Sequence, residues 1–247
     1  VATHISRYIH ARGHAIACIW SRDIGHARRL AALVDSRGIS VLEEVPRDAD
    51  FGLLAVPDRA IPTVASGLQG REGIWMHMSG AVPMDVLEPY FGLFGVFYPL
   101  QTFSGESEPD LDTTPLLVEG SSPATLDRIL RLAGSLSATV AEADSKQRLI
   151  IHTAAVFANN FSNHMVHIAA RILEEHGADF GLLEPILRET FRKMISSGPS
   201  EAQTGPALRG DWETMEKHLE LLKAYPEWQK IYTFVSRDIR NSRNKQQ

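Results

Sequence analysis

Residues 144–176 read DSKQRLIIHTAAVFANNFSNHMVHIAARILEEH, and the rest of the chain is arranged around this stretch. It holds neither Gly nor Pro, which predicts a helix of about nine turns. Asp144 or Ser145 can cap its start, and Gly177 stops it. A helix of this length serves a domain as a central spine. Its middle is unusual, because His152, Asn159, Asn160, Asn163, His164 and His167 interrupt a run of Ile, Val, Phe, Ala and Met. On a helical projection five of them fall within roughly 100° of arc, with His164 just beyond. Such a stripe on a buried helix needs hydrogen-bond partners, from the protein or from a ligand and its waters.

Upstream of residue 144 the pattern alternates. Helices are expected at 1–12, 23–37, 60–68 and 123–136. Short apolar strands are expected at 14–20, 39–42, 51–56, 74–78, 95–98, 116–119 and near 139–142. Each strand ends in turn residues, which argues for a mostly parallel α/β sheet. Downstream the pattern is helical throughout, with helices expected at 180–196, 212–224 and 227–240. The reading is therefore a Rossmann-like α/β domain over 1–143 and an all-α domain over 144–247. The segment 104–114 is acidic and reads as a solvated loop, and the polar tail 241–247 reads as a fraying end.

The 247 residues include 44% hydrophobic and 22% charged, an ordinary globular composition. A net charge of −5 leaves no basic footprint for nucleic acid. The one cysteine, Cys18, cannot form an internal disulfide, which points to a reducing, cytoplasmic setting. No apolar run reaches transmembrane length. Because the sequence opens at Val1 inside a helical pattern, a preceding strand and Gly-rich turn are expected upstream of it.

Four groups of residues suit a nucleotide-dependent enzyme. Ala2 fits the last small residue of a dinucleotide turn. Ser21 and Arg22 stand where an NAD site carries a carboxylate; a hydroxyl and a guanidinium suit a ribose 2′-phosphate and favour NADP. Val56, Pro57 and Ser79, with Gln101 further on, follow expected strand ends, where parallel sheets bind ligands. On the spine, His152 has the intrinsic pKa of a proton-transfer group, and Asn160 and Asn163 can orient a carbonyl or imine. His164 lies beside them as a substrate contact. Gln203, Thr204 and Arg209, in the connection EAQTGPALRGD, could bind a carboxylate. No Cys or well-placed carboxylate joins the histidines, so no metal site is expected.

The segments VATHIS, AVPD, HMSGAVPMDVLEP, GVFYPLQTFS, SKQRLIIHTAAVFANNFSNHM and EAQTGPALRGD together resemble the Rossmann-like, DUF2520-containing family. Its members are described as NADP oxidoreductases related to pyrroline-5-carboxylate reductases and F420-dependent NADP reductases. The resemblance spans nearly the whole chain. It implies an NADP-binding N-terminal domain, a helical C-terminal domain and a homodimer joined through those helices. It also implies that the 201–211 segment helps close a substrate site, often across the dimer. It brings no substrate. Hydroxyacid dehydrogenases of similar architecture carry a catalytic Lys followed four residues later by Asn; here Lys146 is followed by Ile150. The chain therefore reads as an NADP-dependent reductase of a small carbonyl or imine, or as a nucleotide-binding sensor or assembly protein without turnover.

Overall fold

A computed structural model describes residues 1–103 and 110–244. Residues 104–109 of the acidic segment and 245–247 of the tail lie outside the described residues. The chain divides into two compact units, Val1–Phe161 and a second that begins at Ser162. The change from alternating elements to helices alone falls earlier, at Ala143–Asp144.

The first unit runs α1 (Ala2–Ala11), β1 (Ile19–Trp20), α2 (Ile24–Ala32), β2 (Gly38–Ile39), β3 (Phe51–Leu54), α3 (Ile61–Gly67) and β4 (Ile74–His77). It continues through β5 (Phe94–Pro99), β6 (Leu116–Gly120), α4 (Pro123–Leu136), β7 (Val140–Glu142) and α5 (Ser145–Ala155). Two departures from the sequence reading matter. The strands form two sheets, β1-β2 and β3-β4-β5-β6-β7, where one was expected. The expected strand at 14–20 keeps only Ile19–Trp20, because its one neighbour offers only Gly38–Ile39 for pairing. The larger sheet is mostly parallel, as expected: β3-β4, β4-β5 and β6-β7 run parallel, while β5 and β6 run antiparallel.

Two apolar layers cover the sheets. One joins Ile5 and Ile9 of α1 and Ile129 and Leu132 of α4 to Ile74, Met76 and Phe97. The other joins Ile61, Val64 and Leu68 of α3 to Leu54, Trp75 and Leu87. All four residues of β4 are buried, as expected of a parallel strand with both faces covered.

The spine begins as read. Asp144 caps α5, accepting from the Gln147 N–H at 2.7 Å, while the Gln147 side chain accepts from the Asp144 N–H at 3.0 Å. It is not one continuous α-helix. Val156–Phe161 form a π-helical segment before α6 (Ser162–Glu175). π-Segments inside helices occur frequently at functional sites. The expected buried stripe is corrected as well: Asn159, Asn160, Asn163, His164 and His167 are exposed, so solvent can satisfy them. The second unit is helical, as expected, with α7 (Glu184–Ser197), α8 (Pro199–Ala202), α9 (Pro206–Arg209), α10 (Trp212–Leu221) and α11 (Pro226–Asn244) following α6. It leaves Leu182, Ile186, Phe191, Ile195 and Phe234 exposed. Among the described residues no helix is long and apolar enough to cross a membrane.

Gly52 lets β3 pass the Trp75 indole, since a Cβ there would lie 2.2 Å from the ring. Gly52→Ala is expected to lower stability by roughly 1–3 kcal/mol through overpacking, read as a lower urea midpoint with an unchanged slope.

Candidate functional site

The site starts from a buried cation. Arg148 sits one turn into α5 with its side chain 1% exposed. Its Nη1 donates to Glu119 Oε2 of β6 at 2.5 Å, and its Nη2 donates to the Val82 carbonyl at 2.7 Å. Ser145 completes the link. Its N–H donates to Glu119 Oε1 at 3.1 Å and its hydroxyl to Oε2 at 2.9 Å, while it accepts from the Met84 N–H at 3.0 Å. One ion pair thus fastens the start of α5 both to the sheet and to the loop after β4. An unpaired guanidinium in this place would cost several kcal/mol, so the contacts constrain the helix strongly. Of the Arg148 nitrogens, Nε has no protein partner among the described residues.

That anchor sets the phase of α5. His152 follows Arg148 by four residues and therefore lies on the same face, one turn on. Its Nδ1 is 2.9 Å from the Tyr98 hydroxyl, and the two rings meet edge-on with centroids 5.9 Å apart. Tyr98 is the penultimate residue of β5, so the pair stands at a carboxyl end of the parallel strands. Gly80 makes the meeting possible: a Cβ there would lie 2.7 Å from the His152 ring and 2.9 Å from Tyr98 Cζ. Burial raises the Tyr98 phenol above its ordinary pKa, against a smaller opposing effect of Arg148, so the phenol keeps its proton at neutral pH. It donates to His152 when Nδ1 is bare and accepts from it when the ring is doubly protonated. This arrangement joins a phenol and an imidazole by one hydrogen bond at a strand end.

A second histidine lies beneath it with a different character. His77 is fully buried at the end of β4. Its Nδ1 accepts from the Ser79 N–H at 3.2 Å, which leaves Nε2 to donate to the Pro83 carbonyl at 3.3 Å. Burial first, and Arg148 second, push its pKa from 6.5 down to about 4. Ser79 is buried and its hydroxyl accepts from the Ala81 and Val82 N–H groups, both at 3.1 Å. His77 and Ser79 therefore shape the turn that carries Gly80.

The other expected residues are distributed as follows. Ser21 accepts from the Asp23 N–H at 3.3 Å, and Arg22 is exposed. Asp23 itself is drawn into the cap of α2, accepting from Gly25 and His26 at 2.7 and 3.1 Å. Those bonds hold its pKa below the usual carboxylate value. Ala2 and Val56 line one cavity of about 870 Å³, with Pro57 next in sequence. Gln101 is exposed, two residues past β5, and its side chain contacts Thr102 and Thr114. In the second unit Asn163 is exposed and His164 stacks against His167 at 6.1 Å. Gln203 donates to the Thr204 carbonyl at 2.8 Å, and Arg209 ends α9 on the same connection. Among the described residues no three His, Cys, Asp or Glu gather as a metal site. Sequence reading missed Tyr98, Gly80, Arg148 and Glu119 as site residues. The available signals were a tyrosine just before a strand-ending Pro99 and an arginine four residues before His152.

Two outcomes follow from this geometry. Arg148→Met leaves Glu119 without its cation and is expected to cost about 3–5 kcal/mol in urea unfolding, with the double replacement Arg148→Met/Glu119→Gln recovering part of that. His77 is neutral in the fold down to about pH 4 but would take its proton near 6.5 in the unfolded chain. Its contribution is thus fully present above pH 6.5 and is lost as pH falls to about 4. The loss amounts to roughly 3 kcal/mol at about 1.4 kcal/mol per pH unit. His77→Gln is expected to flatten that part of the stability–pH curve.

Comparisons with known proteins agree with this fold. Residues 114–239 match the family model described as a domain of unknown function, DUF2520. The chain is 35% identical to a crystal structure named a "putative NADP oxidoreductase" from Bacteroides fragilis, covering 97% of this chain and 94% of that one, with a TM-score of 0.91. A Thermotoga maritima protein is 22% identical over 96% of each chain, with a TM-score of 0.78. An imine reductase from Myxococcus stipitatus, solved with NADP+, shares the fold at 14% identity and a TM-score of 0.58, over 97% of this chain and 88% of that one. No curated protein matches. With a matched region that runs from β6 through most of the helical unit, and a 35% identical relative along almost its whole length, this chain belongs to the DUF2520 family.

Proposed function

We propose that the chain is an NADP-dependent oxidoreductase that reduces a small carbonyl or imine compound. The observation that carries this reading is the convergence of Tyr98 and His152 over Gly80, at the carboxyl ends of β4 and β5. Open parallel sheets bind their ligands there. The turn after β1 suits the cofactor: Asp23 is occupied in the α2 cap, which leaves the Ser21 hydroxyl and the exposed Arg22 guanidinium for a 2′-phosphate. Ala2, Val56, Pro57 and Ser79 are the further candidates to hold it. The relative named as an NADP oxidoreductase supports the same choice.

The nicotinamide, when bound, supplies the hydride. The protein supplies position and a proton. A doubly protonated His152 can give the proton on Nε2 to the oxygen or nitrogen being reduced, while its Nδ1–H stays held by the Tyr98 oxygen. Arg148, through Glu119 and Val82, keeps the ring over Gly80 during that transfer. The exposed apolar residues of the helical unit support pairing with a second copy of the chain. The alternative, a nucleotide-binding protein without turnover, draws support from Lys146, which is exposed and lacks the Asn four residues on.

NADPH oxidation with a panel of keto acids and cyclic imines tests the proposal. His152→Ala is expected to lower kcat by about 100-fold or more with little change in the unfolding midpoint. Arg22→Asp is expected to weaken NADPH binding by roughly 10- to 100-fold and leave NADH binding nearly unchanged. NADPH binding with no turnover across the panel would favour the sensor reading.

A further inference from the structure

The turn that follows β4 can be followed donor by donor. The Ser79 N–H goes to His77 Nδ1, the Ala81 and Val82 N–H groups go to the Ser79 hydroxyl oxygen, and the Met84 N–H goes to the Ser145 hydroxyl. Pro83 has no N–H to place. Two donors remain. The Gly80 N–H meets no acceptor among the described residues. The Ser79 oxygen has committed both lone pairs to Ala81 and Val82, so its own proton must point elsewhere, and among the described residues it too meets no acceptor. Both residues are buried, Ser79 being 7% exposed. Buried donors are rarely left unpaired, and two on successive residues call for a common partner.

These donors lie against the phenol and imidazole. A Cβ on Gly80 would stand 2.7 Å from the His152 ring and 2.9 Å from Tyr98 Cζ, so the Gly80 backbone is beside the hydrogen bond that joins the two. The partner that suits the place is a group with lone pairs and no proton of its own. A carbonyl oxygen has two lone pairs, one for each donor. A neutral imine nitrogen has one, which must take the incoming proton if the imine is to be reduced, and a protonated imine has none. After burial, the largest influence on both Tyr98 and His77 is the positive charge of Arg148. A positive field at this turn favours an acceptor that gains negative charge over a cation.

We propose that the Ser79 hydroxyl and the Gly80 N–H together hold the oxygen of the substrate's carbonyl group, so that the compound reduced is a ketone or an aldehyde and not an imine. This rests on the reductase reading and narrows its substrate class. As the carbonyl carbon gains hydride, the C–O π pair moves onto the oxygen, which then has three lone pairs. Two stay with Ser79 and Gly80, and the third takes the Nε2 proton of His152. One C–H and one O–H bond form, the carbonyl carbon is reduced as the bound nicotinamide is oxidised, and His152 is left neutral with its Nδ1–H on the Tyr98 oxygen.

Two variants and one spectroscopic signal test it. Ser79→Asp keeps an acceptor for Ala81 and Val82 but has no proton to give, whereas Ser79→Thr keeps the hydroxyl. With NADPH, the wild type is expected to reduce ketones such as cyclohexanone faster than cyclic imines such as 1-pyrroline. Ser79→Asp is expected to lower kcat for ketones by about 100-fold or more with little change in NADPH affinity, and Ser79→Thr to recover most of that loss. In wild-type protein with NADP+, adding cyclohexanone is expected to move the Gly80 amide proton downfield in NMR. If Ser79→Asp does not fold, that signal decides by itself. Faster reduction of imines than of ketones overturns the proposal. So does an unchanged ketone kcat in Ser79→Asp, which would mean that water alone meets the two donors. A loss that follows NADPH affinity also overturns it, because the donors would then hold the carboxamide of the nicotinamide. If no compound is turned over, a Gly80 shift with cyclohexanone removes the reductase reading and upholds the donor pair, while no shift removes both.

Discussion

A guanidinium that is almost fully removed from water has few places it can go, and Arg148 has taken one of them. Glu119 supplies the opposite charge from β6, Val82 supplies a carbonyl from the loop after β4, and Ser145 ties both to the first turn of α5. Sliding or rotating the helix by one residue would pull the charge from its partners. The cost of that displacement, several kcal/mol, is comparable to a large share of a domain's net stability. The position of everything further along the first turns of α5 is inherited from this contact. His152 reaches Tyr98 because Arg148 is fixed one turn earlier.

Two histidines near the anchor sit in different surroundings. His77 is sealed in the sheet, with both ring nitrogens committed to backbone partners, and burial keeps it neutral. It is a packing element with a fixed tautomer. His152 is only partly buried, pairs with a phenol through one nitrogen and leaves the other uncommitted within the first unit. Between them lies Gly80, where the lack of a side chain gives the imidazole and phenol room to meet. Environment, rather than residue type, separates the fully buried histidine from the half-buried one.

The interrupted sheet bears on the turn after β1 as well. Ser21 and Arg22 extend from β1, whose two residues pair only with β2. A two-stranded ladder of this length is a weak platform in water, and here the layers of helices on either face hold it in place. The α2 cap by Asp23 adds local order just after Ser21 and Arg22.

Much of this was legible in order along the chain. Strand and helix alternation to residue 142, the Asp144 cap with Gln147 three residues on, the helical character of the remainder and the family resemblance all follow from local pattern, because burial on two faces and helix termination leave marks within a few residues. The sequence also singled out His152, since an imidazole in an apolar helix is conspicuous by itself. It did not reveal that the asparagines and later histidines of the spine are exposed, nor the π-segment at Val156–Phe161, because neither depends on composition alone. Tyr98, Gly80 and Glu119 lie 54, 72 and 29 residues from the side chains they meet. Their roles exist only once the strands are laid side by side, and no periodicity within one segment carries that information. Local chemistry wrote the elements and the candidate proton donor; the tertiary structure alone chose its partner, since a hydrogen bond depends on distance in space and not on separation in sequence.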